Sequence, residues 1–476
     1  MQKTTILLSF ICIPIFHTSS SPNNTPRLSI VIRNSHDTVS RRRAENLQRG
    51  LLKQADEMGL VSFNNNNVLM LHEAWAPLNA WTILPVFEYL YETYLEQGVR
   101  WVFFCEDNTE INLKGLVRVL QRFKSEERLF IGHALYDEEA SIIHHFKFQK
   151  GLGQFKYPDF DAGWAVTMEL IKHSVDRLRS NPPTSSFSID IQYEVAMFFY
   201  YNDILLTDIR SFCVNKPLSE ECVSTVQYSE PDCGTVAADD ILVSVKTCEK
   251  FHETRIPVFK VTSALNTKHI KYYSEVADES IPTENIGVPN TNSGHCAKLL
   301  EIIMKFRTME EWSNKKWLVI VDDDTIMNFS RLQRQLACYN PDENVVLGER
   351  YGYGVNFKTR GGYSYPTGGS GMILSQRAAI SLLKGECECW APDAPDDMWL
   401  GLCLSRLGIP MVPSKSLHQT YPTQYSREFL SHRYLVSFHK HNQQDPVEIY
   451  RDYLGGSGEG SNKNHDNGDR VMKNEL

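Results

Sequence analysis

The sequence predicts an α/β fold built from two tandem units of one design. Two observations predict it. Continuous apolar runs at 28–32 and 241–245 indicate buried strands that open the two units, and such runs are typical of sheets that helices cover on both faces. In addition, the segment that starts at Arg100 is repeated in the segment that starts at Lys316. A repeat of this length indicates that one supersecondary design occurs twice in the chain.

The repeat keeps the order of strand, acidic turn and helix. The stretch RWVFFCEDNTEIN at 100–112 aligns with KWLVIVDDDTIMN at 316–328. Apolar residues at helical spacing follow in both copies, which predicts a buried strand, an acidic turn and an amphipathic helix in each. The alignment continues with these pairs: Leu116 with Leu332, Leu120 with Leu336, 130–132 with 346–348, Gly163 with Gly371, and Asp190 with Asp396.

The predicted organisation has four parts, which are a signal peptide at 1–20, a first unit at 27–220, a second unit at 238–454 and a flexible tail at 455–476. Pro, Ser, Thr and acidic residues interrupt the pattern between the units, and Gly, Ser and Asn dominate the tail. The composition is globular, with 42% hydrophobic residues and a net charge of −9. No long Lys/Arg block occurs, so we expect no nucleic-acid partner.

Both ends of the sequence carry targeting patterns. The apolar stretch at 4–16 is too short to span a bilayer and is followed by small residues, which predicts a cleaved secretory signal and no stable membrane insertion. The last four residues, Lys-Asn-Glu-Leu, differ by one substitution from the Lys-Asp-Glu-Leu retrieval address. We therefore expect the lumen of the endoplasmic reticulum, with its retrieval receptor as a partner of the C-terminus.

The cysteine content agrees with an oxidising compartment. Of eleven cysteines, Cys12 lies in the predicted signal, so an even number remains. This predicts disulfides, whose pairing the sequence leaves open. Cys387 and Cys389 are one residue apart and are expected to pair with different partners, or one of them stays free. A zinc site is the weaker alternative, because no Cys-x-x-Cys pair occurs.

The acidic triplet Asp322, Asp323 and Asp324 follows the apolar run at 317–321. Ligands of open α/β sheets bind beyond the carboxyl ends of the strands, so these carboxylates are placed for a site. Three adjacent like charges repel one another unless a cation balances them, and carboxylates are ligands for hard divalent ions such as Mn²⁺ or Mg²⁺. The alternative is a solvated acidic turn that caps the next helix.

A second acidic group, Asp396 and Asp397, starts the apolar run at 398–407. Capping of a helix explains one aspartate at this position, whereas a general base in a cleft would explain the second. His418 follows a short strand-like segment; a lone histidine is usually structural. Glycines at 361–362 and 368–371 permit a close approach of backbone to a ligand but are weak evidence alone.

A set of motifs spans about residues 240–454, and its members in chain order are 245–247, 250–252, Arg255, 294–298, 321–324, 368–371, 395–397, Gly401 and His418. Taken in order, these motifs resemble the Fringe-type family of β1,3-glycosyltransferases. The stretch LVSFHKH at 435–441 and the C-terminal tetrapeptide are more similar to the family's glucosyltransferase branch than to Fringe itself.

The resemblance implies a GT-A-like (Rossmann-like) fold in both units, a UDP-sugar donor and inversion at the anomeric carbon. It implies that Asp322, Asp324 and His418 hold Mn²⁺, or Mg²⁺, against the donor diphosphate. Asp397 would be the base that deprotonates the acceptor hydroxyl, with Asp396 as the alternate. The residues implied to bind the donor are Lys246, Thr247, Arg255, Lys298, Asp322, Asp323, Gly369 and Gly371.

The implied reaction moves glucose from UDP-glucose to the 3-hydroxyl of O-linked fucose on thrombospondin type 1 repeats, which would be the protein partners. The first alternative is a Fringe-like transfer of N-acetylglucosamine from its UDP donor, which the residues alone do not separate from glucose transfer. The second is a non-enzymatic chaperone or lectin of the endoplasmic reticulum, which the intact acidic set of the second unit disfavours.

The first unit lacks the implied catalytic set. Asn108 replaces Asp324, Ile191 replaces Asp397 and Phe212 replaces His418. Loss of a carboxylate and an imidazole removes metal ligands, so this unit is predicted to be a catalytically silent copy. Asn-x-Ser/Thr patterns occur at Asn23 and Asn328, and we expect the second to be unused because it lies beside the acidic triplet.

Overall fold

The structure is a computed structural model that describes residues 27–74, 83–145, 155–183, 187–356, 361–440 and 444–455. The predicted signal peptide, Asn23 and residues 456–476 of the predicted tail lie outside the described residues. Within them, no helix is long and apolar enough to cross a membrane.

The N-terminal half is built on a six-stranded sheet in the order β10-β5-β8-β3-β1-β2, in which only β8 runs antiparallel to its neighbours. The strands of the N-terminal half, within this sheet and outside it, are β1 Leu28–Arg33, β2 Val68–Met70, β3 Trp101–Glu106, β4 Thr109–Ile111, β5 Phe130–Gly132, β6 Ala134–Tyr136, β7 Lys156–Pro158, β8 Trp164–Thr167, β9 Phe187–Ser188, β10 Leu206–Asp208, β11 Phe212–Val214 and β12 Ser224–Val226. Its helices are α1 Thr38–Glu57, α2 Leu71–Ala74, α3 Val86–Tyr94, α4 Leu113–Leu120, α5 Ile142–His145, α6 Met168–Ser180 and α7 Ile191–Tyr200.

The C-terminal half is built on a seven-stranded sheet in the order β15-β14-β13-β16-β21-β18-β22, in which only β21 runs antiparallel to its neighbours. The strands of the C-terminal half, within this sheet and outside it, are β13 Ile241–Lys246, β14 Ile270–Ser274, β15 Thr283–Asn285, β16 Trp317–Asp322, β17 Thr325–Met327, β18 Val346–Gly348, β19 Arg350–Asn356, β20 Gly361–Pro366, β21 Met372–Ser375, β22 Met411–Pro413 and β23 Ser437–His439. Its helices are α8 Ile256–Val261, α9 Cys296–Thr308, α10 Phe329–Leu336, α11 Gln376–Lys384, α12 Asp396–Arg406, α13 Arg427–Ser431 and α14 Pro446–Ile449.

Helices cover both faces of each sheet, as the continuous apolar strands predict. In the C-terminal half, alternate residues of β13 and β16 pack against α9, α11 and α12 on one face and against α8 and α10 on the other. The N-terminal sheet is covered in the same way by α1 and α4 on one face and by α3, α6 and α7 on the other. The α/β class predicted from the sequence is confirmed.

The N-terminal half extends to Val226, beyond the predicted end at residue 220. The reason is β12, which pairs with β11 in parallel and with β4 in an antiparallel arrangement. A disulfide joins Cys213 and Cys222 across this segment. The polar residues within 219–223 therefore form a loop inside the first half, whereas residues 227–237 lie between the elements of the two halves.

The two halves are joined by a shared sheet and by buried ion pairs. The short strand β9 of the N-terminal half pairs with β19, which forms a three-stranded sheet with β20. Arg433 of the C-terminal half lies between Asp159 and Asp161 of the N-terminal half, with nitrogen–oxygen distances of 3.2 and 2.7 Å. All three side chains are almost fully buried.

Candidate active site

The candidate site lies at the carboxyl ends of β13 and β16. At this point the strand order reverses, because β14 lies on one side of β13 and β16 on the other. The register pairs Lys246 with Asp322, the last residues of the two strands, and the lysine Nζ lies 2.9 Å from Asp322 Oδ1. Open α/β sheets bind ligands at such a crevice.

Three potential metal ligands meet there: Asp322, Asp324 and His439. One ligand atom from each lies within 4.8 Å of the others. His439 reaches the cluster from β23, because β23 pairs with β17 directly after the acidic turn and places His439 opposite Thr325. Its Nε2 lies 2.9 Å from Asp324 Oδ1 and 3.7 Å from Asp322 Oδ2. Two carboxylates and an imidazole suit a divalent cation.

The orientation of the His439 ring fits this role. Its Nδ1 lies 2.9 Å from the carbonyl oxygen of Gln419, and donation to a carbonyl leaves Nε2 to face the carboxylates, as in many metal sites. Burial disfavours a charged imidazole, but Asp324 raises the pKa of His439 above its usual value. A bound cation would take the place of that proton.

The predicted metal ligand His418 is not part of this cluster. Its Nδ1 lies 3.0 Å from the carbonyl oxygen of Ser437, its ring stacks on Phe438, and its buried Nε2 has no hydrogen-bond partner among the described residues. Burial lowers the pKa of His418 to about 3. The structure therefore corrects the predicted set: the histidine beside the aspartates is His439, and His418 packs against Phe438 and Tyr425.

Asp323 is not one of the three clustered ligands and is held by protein groups. Thr247 Oγ1 donates to Asp323 Oδ2 at 2.7 Å, and Arg255 Nη1 donates to Asp323 Oδ1 at 2.8 Å. The same guanidinium lies 3.1 Å from Asp324 Oδ2 and stacks on Phe251 at 3.7 Å. Lys298 Nζ donates to the carbonyl oxygen of Thr247 at 2.7 Å. The predicted donor-binding residues Thr247, Arg255 and Lys298 thus surround the triplet.

The structure excludes the helix-capping interpretation of the triplet. The next helix, α10, is capped by Asn328, whose side chain accepts from the backbone N–H of Arg331. Asp323 and Asp324 are buried, at 4% and 6% exposure. Burial raises the pKa of Asp323 to about 6. Buried carboxylates without a capping role indicate a site for cationic partners.

Asp396 and Asp397 lie at the start of α12 beside the cluster, but in different environments. Lys246 Nζ donates to Asp396 Oδ2, and this contact outweighs burial and holds the pKa of Asp396 below its usual value. Asp397 makes no ion pair among the described residues; burial, followed by the charge of Asp396, raises its pKa to about 7. Neither aspartate is an N-cap, because the capping position is Pro395.

Two disulfides fix the start of α12. Cys389 pairs with Cys296 at the start of α9, and Cys387 pairs with Cys403 within α12 itself. The expectation that Cys387 and Cys389 have different partners is confirmed. Gly294 adds a close backbone contact, since a Cβ there would lie 2.1 Å from the carbonyl oxygen of Ala394. The aspartates are therefore held by the covalent framework around them.

The glycines at 368–371 bring the two acidic groups together. The backbone N–H of Gly368 bonds to Asp397, and a Cβ on Gly368 would lie 3.8 Å from Asp322 Oδ2. Gly369 lies against the ring of His439, with only 2.1 Å between a hypothetical Cβ and Nδ1. Gly371 has a φ of +97°, which favours glycine. Gly369 and Gly371, predicted to bind the donor, are in contact with protein side chains.

The N-terminal half has the same layout with altered chemistry. Arg33 and Glu106 end β1 and β3 in the register of Lys246 and Asp322, and they form an ion pair of 2.7 Å. Asp190, the counterpart of Asp396, is bound by His144 at 2.9 Å. The adjacent cleft, of about 510 Å³, is lined by Asp107, Asn108 and other residues of both halves. In the described part of this half, no three ligand atoms lie close enough together to share a metal ion as those of Asp322, Asp324 and His439 do.

Asn328 is not available as a glycosylation acceptor in this fold. It is 3% exposed, and its Nδ2 donates to the carbonyl oxygen of Leu454 at 2.5 Å. Its Oδ1 caps α10. These contacts agree with the expectation that this sequon is unused.

Comparison with protein families gives the assignment. A family model described as Fringe-like matches residues 81–187 and 236–457, a range that contains the ligand cluster and both aspartates of α12. The chain belongs to the Fringe-like family. The resemblance recognised from the motifs of the C-terminal half is thereby confirmed.

This Fringe-like chain is more similar to β-1,3-glucosyltransferases than to Fringe proteins. A β-1,3-glucosyltransferase of Mus musculus is 42% identical over 433 residues, which cover 90% of this chain and 86% of the relative. One of Homo sapiens is 43% identical over 432 residues, with 90% and 85% covered. A β-1,3-N-acetylglucosaminyltransferase lunatic fringe of Mus musculus is 26% identical over 251 residues, with 45% and 64% covered.

Two solved structures are also similar to this Fringe-like chain. A glycosyltransferase involved in glycosylation of the major capsid of PBCV-1 is 10% identical, with a TM-score of 0.26, and covers 42% of this chain and 91% of its own. The bifunctional glycosyltransferase WbbM is 7% identical, with a TM-score of 0.28, and the match covers 78% and 88%.

Proposed function

We propose that the protein is an inverting, metal-dependent β1,3-glucosyltransferase that moves glucose from UDP-glucose to the 3-hydroxyl of O-linked fucose on thrombospondin type 1 repeats. The observation that carries the proposal is the meeting of Asp322, Asp324 and His439 beside Asp397 at the switch point of the C-terminal sheet. The glucosyltransferase relatives, similar over nine-tenths of the chain, support the choice of sugar.

Asp322, Asp324 and His439 would hold Mn²⁺, or Mg²⁺, at the donor diphosphate. Two carboxylates and one imidazole are ligands that fit such an ion, and the Gln419 carbonyl orients the imidazole toward it. When bound, the cation would neutralise charge that develops on the departing UDP. Arg255, beside Asp323 and Asp324, and Lys298, beside the carbonyl oxygen of Thr247, would add positive charge near the diphosphate. Lys246 keeps Asp322 and Asp396 paired and in place.

Asp397 is the proposed base. Its raised pKa suits a group that must take a proton near neutral pH. It would accept the proton of the acceptor hydroxyl as that oxygen attacks from the face opposite UDP. Asp396 is the less suitable candidate, because its carboxylate is already neutralised by Lys246.

We also propose that the protein works in the lumen of the endoplasmic reticulum and is retrieved there by a receptor. Four disulfides support an oxidising compartment. Deletion of residues 473–476 should move an expressed protein from the endoplasmic reticulum into the medium. Unchanged retention would contradict the role of the tetrapeptide.

Mass spectrometry of a fucosylated thrombospondin repeat after incubation with Mn²⁺ and a panel of UDP-sugars tests the proposal. Wild type should add one hexose from UDP-glucose, and Asp397→Asn should lower the rate by about 10²–10⁴-fold. Preferred transfer of N-acetylglucosamine would favour the Fringe-like alternative. If no UDP-sugar is hydrolysed or transferred, the chaperone or lectin alternative replaces the enzyme.

A further inference from the structure

The hairpin of β19 and β20 presents a row of four tyrosines on one face. Its register pairs Tyr351 with Tyr365 and Tyr353 with Tyr363. Side chains alternate along a strand and paired residues share a face, so all four rings project from the same side. Neighbouring ring centroids are 5.9–6.4 Å apart. We call these four residues the tyrosine row.

The inner end of the tyrosine row lies beside Asp397. Gly401 follows Asp397 by four residues on α12, so both lie on one face of the helix. A Cβ on Gly401 would lie 2.3 Å from Tyr365 Cβ and 2.7 Å from the carbonyl oxygen of Ser364. The helix therefore packs on β20 along the face that carries Asp397. In agreement, burial raises the pKa of Tyr365, and the charge of Asp397 adds to the rise.

The outer end of the row is completed by the N-terminal half. Phe187 of β9 pairs with Tyr353, and their rings meet edge to face at 4.8 Å. Arg350 Nη1 donates to Ser188 Oγ at 3.0 Å on the opposite face of the hairpin. Glu194 of α7 accepts from Ser188 Oγ and from the N–H of Ile189. These contacts set the position of Phe187 against the row.

All of these rings except that of Tyr365 are partly exposed. Tyr365 is 4% exposed, whereas Tyr351, Tyr353, Tyr363 and Phe187 are of intermediate exposure. Aromatic faces carry negative charge density, which attracts the weakly positive C–H groups of a sugar ring. A 6-deoxyhexose adds an apolar methyl group, so it suits such a surface better than a fully hydroxylated hexose does.

We propose that the tyrosine row and Phe187 form the acceptor platform, on which the fucose stacks near Tyr363 while the protein segment that carries it extends toward β9. The proposal rests on the proposed function, because the hydroxyl that Asp397 deprotonates belongs to the acceptor. It gives the N-terminal half a task in the reaction: it supplies one aromatic ring and holds the hairpin.

Steady-state kinetics of the full chain with UDP-glucose and a fucosylated repeat test the platform. Tyr363→Ala and Phe187→Ala should each raise the KM for the acceptor about tenfold, with the KM for UDP-glucose, donor hydrolysis and melting temperature unchanged. Tyr363→Phe keeps the ring and should retain the wild-type acceptor KM. Tyr136→Ala, at an exposed tyrosine of β6 outside the row, is the control and should match wild type.

Two results would overturn the platform. The first is a wild-type acceptor KM in both alanine variants. The second is a parallel loss of acceptor use, donor use and melting temperature, which a purely structural role would produce. The wild-type reaction separates failure of the proposed function from failure of the platform. If wild type transfers no hexose to the fucosylated repeat, the proposed function fails and the platform fails with it. If wild type does transfer hexose, either of the two results above rejects the platform alone.

Discussion

Asp396 and Asp397 are neighbours in the chain, yet their surroundings give them different charge states. Lys246 stabilises the carboxylate of Asp396, whereas Asp397 is buried next to that carboxylate and gains no cation of its own. The pKa of Asp397 is therefore raised, and this carboxyl group keeps its proton to a higher pH than Asp396 does. This difference is the physical reason to propose Asp397, rather than its neighbour, as the base.

The raised pKa of Asp397 predicts a pH profile for transfer. Only the carboxylate form accepts a proton, so kcat/KM should rise with pH through about 7 and level off above it. Below that range the rate should fall about tenfold per pH unit. Initial rates at saturating Mn²⁺ between pH 5.5 and 8.5 would show this. A flat profile over the whole range would contradict the assignment.

At the scale of elements, the start of α12 is held by its covalent framework. The helix has no side-chain N-cap hydrogen bond, because its N-cap residue is Pro395. The Cys296–Cys389 disulfide and the close contact of Gly294 with the segment before the helix take over that task. If Asp397 is the base, as proposed, it needs such a fixed position relative to the acceptor hydroxyl.

Removal of the Cys296–Cys389 disulfide should therefore lower activity as well as stability. We expect Cys296→Ser/Cys389→Ser to lose about 2–4 kcal/mol of unfolding free energy and to show a lower kcat at temperatures where it is folded. Cys213→Ser/Cys222→Ser is the matched control in the N-terminal half and should lower stability while kcat is kept. Denaturant unfolding and initial rates measure both. Equal kcat values in the two variants would contradict the positioning role.

At the scale of the whole molecule, the halves are joined by ion pairs between an arginine and two aspartates that are almost fully buried. Arg433 contacts Asp159 and Asp161 with 2–3% exposure on each side chain, and its guanidinium lies 3.6 Å from the ring of Phe429. Lys415 adds a second contact to Asp161 at 2.8 Å. Breaking such a pair leaves a buried charge without compensation.

Arg433→Met should consequently cost about 3–5 kcal/mol of unfolding free energy. Adding Asp159→Asn and Asp161→Asn should recover part of the loss, because the buried charges are then removed together. Arg451→Met, which breaks an exposed pair with Asp452, should leave stability unchanged. Denaturant unfolding compares the variants. Equal stabilities of the single and triple variants would contradict the account.

Local signals in the sequence were sufficient for the strands that form the site, but not for contacts between distant segments. The runs at 28–32, 241–245 and 317–321 are the strands β1, β13 and β16, because continuous burial leaves an unbroken apolar pattern. His439 was missed because it reaches Asp324 through the pairing of β23 with β17, more than a hundred residues apart. In the sequence, the stretch that contains His439 indicates only the branch of the family.

The joining of the halves had no sequence signal either. The strand β9 has only two residues, and β12 has three and follows a polar loop. Segments this short carry no periodicity. The pairing of β9 with β19, and therefore the contribution of Phe187 to the hairpin, depends on how the two folded halves meet.

Binding of Mn²⁺ in the presence of UDP, measured by isothermal titration calorimetry, tests the central claim most directly. Wild type should bind one ion, His439→Ala should bind at least about tenfold more weakly because a ligand is lost, and His418→Ala should bind as wild type does. Wild-type affinity in His439→Ala, or a loss of binding confined to His418→Ala, would contradict the assignment of Asp322, Asp324 and His439 as the metal site.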